Sequence, residues 1–353
     1  MDQTLDTADV SEEQTSAGLR EYLRCYYGKI IQRTEDLEKK ACCADDTKSR
    51  HSGLMKLIPP EVKERNYGCG CSIPQDDLTG LRVLDLGSGA GLDAFIVANL
   101  VGESGRVLGL DMTEEQLAVA QRNNKPVAEA YGYSRPNVEF HLGYIETADP
   151  IPDESIDLVI SDCTVNLSPL KDRVFETIYR VLRPGGEFYV SDIVADRRVP
   201  KEISQDPKLV AECLGGALYE HDFLDIIQDA GFGDPRTVSK KLVEENVNGH
   251  PIRFCSVTVR GFKLRGSWDR RCEDYGQVAT YQGSCAQQPA RFLLDDHHIF
   301  ETGRPVPVCR NTARILSETR FGKYFEVTSP RRHLGLFDCS PSATGDGSPP
   351  PCC

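Results

Sequence analysis

Cysteine carries most of the chemical potential of this chain. Two cysteines, Cys69 and Cys71, stand among glycines in NYGCGCSIPQ, about a dozen residues before a glycine-rich turn, DLGSGAG. Cys163 ends the apolar run IDLVISDC, Cys213 lies in AECLGGALY, and Cys42 and Cys43 adjoin in ACCADD. In a chain of this length, clustered thiols signal metal or redox chemistry, while an isolated one more often fills apolar space. Structural zinc calls for close pairs of the CxxC kind. The pairs Cys42-Cys43, Cys69-x-Cys71 and Cys352-Cys353 lack that spacing. A thiol is a poor general base but a good ligand for a soft acceptor. His297 and His298 suggest a second metal reading, but neighbours on a strand face opposite sides, so a solvated turn is expected there.

The glycine-rich turn is the second chemical element. Asp85, Gly87, Ser88, Gly89 and Gly91 fall where an apolar strand meets a helix. Glycines let the backbone approach a ligand, and the helix start offers free N–H groups. A dinucleotide site would show the same turn and an acid about 20 residues on; Asp111 is that acid. Asp85, however, precedes the first glycine. A carboxylate there suits a cofactor with a cationic amino-acid end and no pyrophosphate, such as S-adenosylmethionine. Cys163, after the fourth strand, then falls at the carboxyl edge of the sheet, where ligands bind in such folds.

The elements that must position these groups are regular. From Leu81, apolar runs (LRVLDLG, GRVLGLDM, NVEFHLGYIE, IDLVISDC, EFYVSDI) alternate with helical segments, and TVSKKLVEE and IRFCSVTVRGFKL add two strands. Alternation of this kind predicts an α/β, Rossmann-like, doubly wound sheet. Thr113 is the expected N-cap of the second helix. Residues 1–17 are expected to be disordered, 18–78 to form a helical and cysteine-loop segment, and 79–265 the cofactor-binding domain, with an insertion near 196–225. A small strand-rich C-terminal domain, 266–330, and a disordered tail, 331–353, complete the expectation.

Composition bounds the rest. A net charge of -13 argues against nucleic acid or an anionic membrane as partner, since both reward Lys and Arg clusters. The polar start MDQTLDTADVSEEQ lacks a signal peptide's basic and apolar regions, and no apolar run approaches the ~18 residues of a membrane helix. A cytoplasmic monomer is expected.

The motifs RNYGCG, VLDLGSGAGLD, GLDMT, GYIE, SDCTVNL, LRPGGEFYVSD and AECLGGALY together resemble the arsenite S-adenosylmethionine methyltransferases, a class I methyltransferase family, over about residues 20–330. The resemblance implies trivalent arsenic held by thiolates of Cys69, Cys163 and Cys213, with Cys42 (Cys43 the alternative) in redox steps. It implies a cofactor site of Tyr67, Asp85, Gly87, Ser88, Gly89, Asp111, Met112, Gln116, Ile145, Glu146 and Asp162, with Asp111 on the ribose and Met112, Ile145 and Glu146 around the adenine. It also implies a thiol reductant, thioredoxin or glutathione, as co-substrate. Asp162 stands where some relatives carry Asn. Two alternatives are weighed against this reading: a methyltransferase acting on carbon or oxygen of a small organic molecule, and a non-catalytic arsenic-binding protein.

Overall fold

The computed structural model describes residues 7–37 and 51–337. Five parallel strands build the centre: β1 (Arg82–Leu86), β2 (Arg106–Asp111), β3 (Val138–Leu142), β4 (Ile156–Asp162) and β5 (Leu182–Ala195). A two-residue strand, β6 (Leu218–Tyr219), pairs with the end of β5. β7 (Arg236–Val247) and β8 (His250–Phe262) form a long hairpin whose second strand runs antiparallel to β5. The order is β3-β2-β1-β4-β5-β8-β7. The order reverses between β1 and β4, so the glycine turn after β1 and Cys163 after β4 meet at one point of the carboxyl edge.

Sequence pattern explains the layers. Helix Leu92–Val101 is buried along most of its length because it lies between the sheet and the segments around Ile58 and Val62. Helix Lys171–Val181 buries Val174, Phe175, Ile178 and Val181, the stripe expected of a helix with one face to the core. Phe188 of β5 packs edge-on against Phe175 and Phe232. The Pro184-Gly185-Gly186 stretch makes an irregularity inside β5: the register jumps from Ile156↔Leu182 to Leu158↔Glu187, with Gly185 at φ 82°.

Three boundaries differ from expectation. Residues 1–17 were expected to lack structure, but a helix runs Thr7–Cys25 and continues as a π-helical turn, Tyr26–Ile30. The helix is weakly apolar, and its ordered end is fixed by contacts made 120 and more residues away, described below, which no local pattern reveals. The tail was expected to start at 331, yet Gly335–Leu336 pairs with Glu273–Asp274. Thr113 sits at the helix start, but its side chain makes no cap; the Asp111 carboxylate accepts the Thr113 N–H instead, at 2.8 Å.

The C-terminal domain has its own core of Tyr281, Phe292, Phe300, Phe321 and Phe325. Strand Gln277–Tyr281 lies between Pro305–Val308 and Phe325–Val327, beside helix Arg310–Glu318. Among the described residues no helix is long and apolar enough to cross a membrane. Replacing Phe188 with Ala is expected to destabilise the protein by ~3–5 kcal/mol through lost burial and a residual cavity; chemical denaturation measures it, and a loss under ~1 kcal/mol would contradict the packing described.

Candidate active site

A cavity opens at the carboxyl edge between the glycine turn, β2, β4 and the segment 65–68. Asp85, Gly87, Ser88, Gly89, Asp111, Met112, Gln116, Ile145, Glu146, Asp162 and Tyr67 all line it, so the sequence assembles every one of the expected cofactor residues. The Asp111 carboxylate is fixed by N–H groups of Gly89 (2.9 Å) and Thr113 (2.8 Å). Burial pushes its carboxyl up, opposed by those two donors. Ser88 Oγ is buried with no hydrogen-bond partner, and a side chain at Gly89 would point into open space. A polar orphan beside an open glycine face fits a ligand with hydroxyl and amino groups, as the adenosyl cofactor has.

The thiol loop is fastened to this cavity by one carboxylate. Asp162 Oδ1 accepts the N–H groups of Cys69 and Gly70, each at 3.0 Å. Gly68 and Gly70 are required for close approach: a Cβ on either would collide with the Asp162 carboxylate or the Ser191 hydroxyl. Ser256 of β8 donates to the Cys69 carbonyl at 3.0 Å. Cys69 is thereby set against Cys163, and the two form a disulfide with Cα atoms 5.6 Å apart across 94 residues of sequence.

Cys163 and Cys213 share an uncommon backbone. Their φ values are 60° and 63°, in the left-handed region that costs most side chains of order 1 kcal/mol or more. For Cys213 the cause is a helix end. Helix Pro207–Ala211 closes with Leu214 N–H on Leu209 C=O (3.0 Å) and Cys213 N–H on Val210 C=O (2.9 Å). This is a Schellman termination with cysteine in the place that glycine usually takes. The turn aims Cys213 Sγ at the Cys163 carbonyl, 3.4 Å away. The sulfurs of Cys69 and Cys163 and a carboxylate oxygen of Asp162 lie within 4.8 Å of one another; Cys213 is adjacent to that group but outside it. Cys71 turns the other way. It is buried in a separate cluster with Ile73, Ile160 and Tyr189.

The N-terminal helix bridges the cofactor and thiol sides, which the sequence did not disclose. Arg20 pairs with Glu146 at 3.2 Å, and Ser168 donates to the same carboxylate at 2.7 Å. Gln116 Nε2 donates to the Tyr27 carbonyl at 2.7 Å. The hydroxyls of Tyr26 and Tyr27 donate to Glu212 Oε1 and the Ala211 carbonyl, directly before Cys213. Tyr27 stacks obliquely on Tyr67, whose hydroxyl burial pushes up, with Gln116 opposing.

Two further ionisable groups lie behind the thiols. Burial pushes Asp192 up to about 7, against donors from Asn166 and Ile193. Burial pulls Lys171 down to about 8, opposed by Asp192 and Glu146. Elsewhere, His297 and His298 lie in a turn, but contrary to expectation they do not diverge: their ring centroids are 4.2 Å apart and, with buried Asp295, their ligand atoms lie within 4.8 Å of one another. Asp295 is already saturated by the N–H groups of both histidines, the His298 ring and Arg236. Cys42 and Cys43, and the terminal Cys352-Cys353 pair, lie outside the described residues.

Comparison with known proteins agrees with this geometry. Residues 77–231 match the family model of a methyltransferase domain, and residues 275–346 match that of the arsenite methyltransferase C-terminal domain. An arsenite methyltransferase from Aquipseudomonas alcaligenes is 46% identical over 91% of this chain and 94% of its own. The one from Homo sapiens is 37% identical over 88% of this chain and 84% of its own. A crystal structure of an arsenic(III) S-adenosylmethionine methyltransferase from Chlamydomonas reinhardtii is 43% identical, with a TM-score of 0.77, covering 81% of this chain and 98% of that one. The sheet order, the glycine turn and the cavity define an S-adenosylmethionine-dependent methyltransferase. Within that class, the chain belongs to the arsenite methyltransferase family.

Two outcomes follow. Asp162→Ala removes the acceptor for the Cys69 and Gly70 N–H groups and is expected to weaken arsenite binding ~10-fold or more, while Asp162→Asn, which keeps an acceptor oxygen, retains most of it. Equal losses in both variants, measured by titration of the reduced protein, would refute the acceptor role. For pH, the folded Asp192 value of about 7 lies above its ordinary 3.8. Its stabilising contribution is therefore complete below about 4 and is lost as pH rises through 7, by up to ~1.4 kcal/mol per unit. Asp192→Asn is expected to flatten that slope in urea titrations between those pH values.

Proposed function

We propose that this protein methylates trivalent arsenic held by the thiolates of Cys69, Cys163 and Cys213. The observation that carries the reading is the meeting of Cys69 and Cys163 at the mouth of the cofactor cavity, with Cys213 Sγ against the Cys163 carbonyl. Three sulfurs from separate segments, two of them on a left-handed backbone, are more than a fold needs for packing.

S-adenosylmethionine, when bound, supplies the methyl group as the electrophilic carbon of a sulfonium. Asp111 and Ser88 offer acceptors and a donor for its hydroxyls, Asp85 a negative wall for its amino-acid end, and Met112 and Ile145 apolar cover. The chain's own task is to present the acceptor. Arsenic bonded to three thiolates is pyramidal and keeps its lone pair, so the acceptor is itself the nucleophile and no general base is required. This explains a site with thiols and no histidine. Holding that lone pair in line with the transferred carbon is a positioning effect, which can supply ~7–11 kcal/mol of a barrier.

Electron balance assigns the disulfide. Gaining a methyl cation with its own lone pair raises arsenic formally from the trivalent to the pentavalent state. Returning it takes two electrons, which a pair of thiolates provides by becoming a disulfide. Cys69 and Cys163 are placed to be such a pair, and Cys42, or Cys43, is the further partner that the family resemblance implies. A small thiol or thioredoxin then restores both sulfhydryls by exchange.

Incubation with arsenite, S-adenosylmethionine and a thiol reductant, followed by speciation of the products, tests the proposal. Methylated arsenicals are expected from the wild type. Their absence under reducing conditions would reject the activity. Cys213→Gly is the sharper variant, because glycine suits the left-handed position and the fold should be kept or slightly stabilised. It is expected to lose arsenite methylation by ~10²-fold or more with an unchanged or higher melting temperature.

A further inference from the structure

The loop carrying Cys69 is gripped at both ends, and the far grip comes from the C-terminal domain. Asp76, seven residues beyond Cys69, has its side chain 1% exposed. It meets the guanidinium of Arg260 on β8 at 3.6 Å, and that of Arg320. Glu187 of β5 closes the set, accepting from Arg260 Nε and from Arg320 Nη2, each at 2.7 Å. Arg320 opens the turn Arg320–Lys323 after the domain's helix. The next residue of the loop is held by the same turn. Lys323 Nζ and the Tyr324 hydroxyl both reach Asp77 Oδ2 at 3.1 Å. Burial alone would push Asp77 up; the donors Thr79, Lys323 and Tyr324 outweigh it and hold its carboxyl well below the usual range.

Two buried arginines and two buried carboxylates are drawn here from four segments: the thiol loop, β5, β8 and the C-terminal domain. Such a set adds little net stability compared with an apolar one, yet removing one member leaves a buried charge uncompensated. Its value is geometric, since each guanidinium offers a rigid fork of donors. The thiol loop needs that kind of constraint. Once the Cys69–Cys163 bond is reduced, Cys69 keeps its place through its own apolar packing, Asp162, Ser256, the core seats of Cys71 and Ile73, and the grip on Asp76 and Asp77.

We propose that the C-terminal domain acts as a clamp on the arsenic-binding loop, with Arg320 the positioning residue that fixes the loop's far end and so delivers Cys69 to the site. This rests on the functional reading above and gives a task to a domain that contributes no residue to the cavity. Arg320 touches neither cofactor cavity nor thiols, so its loss separates the two ligands.

The test uses the full reduced chain with Arg320→Gln. Arsenite affinity is read as protein-bound arsenic after gel filtration, and S-adenosylmethionine affinity by calorimetry. The expected result is ~10-fold weaker arsenite binding with cofactor affinity changed by less than about twofold. Arg320→Lys, which keeps the charge, should recover part of the loss. Unchanged arsenite binding, or parallel loss of both ligands, overturns the clamp. Should Arg320→Gln fail to fold, Asp77→Asn decides instead. It lifts the Lys323 and Tyr324 contacts at the domain edge, and is expected to weaken arsenite binding ~3-fold with cofactor binding intact; no change overturns the proposal. A wild type that binds no arsenite at all would instead reject the functional reading itself.

Discussion

A single carboxylate oxygen at the end of β4 joins the two halves of the site. Asp162 accepts two consecutive N–H groups of the thiol loop and is the neighbour in sequence of Cys163. Anything bound to both Cys69 and Cys163 therefore inherits its geometry from this acceptor. The glycines on either side of Cys69 follow from it, since the loop lies too close to Asp162 and Ser191 for any Cβ. So does the orientation of Cys163, whose N–H bonds the Ser191 carbonyl at 2.8 Å while its backbone turns left-handed.

Much of this was legible in the sequence. The strand and helix alternation, the glycine turn, the acid ending β2 and the carboxyl-edge position of Cys163 all follow from local pattern and sheet topology. What local pattern missed was set by contacts distant in sequence. The glycines of GCGC have their reason in tight packing against Asp162 and Ser191, which no local pattern shows. The sequence does not separate Cys71 from Cys69, whereas the structure seats it in another part of the core. The left-handed cysteine at 213 carries no local signal: the residue expected at such a helix end is glycine, and only the hydrogen-bond pattern shows cysteine in its place.

The accessory segments explain themselves by what they touch. At one end of the chain, Arg20, Tyr26 and Tyr27 connect the Glu146 side of the cavity with the turn before Cys213. A π-helical turn places two adjacent tyrosines toward that turn, and irregular helical turns of this kind recur at functional sites. At the other end of the chain, a domain with its own aromatic core reaches the thiol loop through buried charge. The N-terminal addition thus reaches the site directly, and the C-terminal one reaches it through the loop that carries Cys69.

The opposed facing of Cys69 and Cys71 has a consequence for a protein with fourteen cysteines. Where one disulfide forms among many thiols, the wrong sulfurs can pair, and exchange is fastest between neighbours that are both accessible. Here Cys71, two residues from Cys69, packs with Ile73 and Tyr189 in a different cluster from the one that holds Cys69, Cys163 and Cys213, and Cys285 and Cys309 are buried in the C-terminal domain. The fold places the three site sulfurs in one cluster and Cys71 in another. Which sulfur can pair with Cys163 is then set by the side of the loop that each thiol faces.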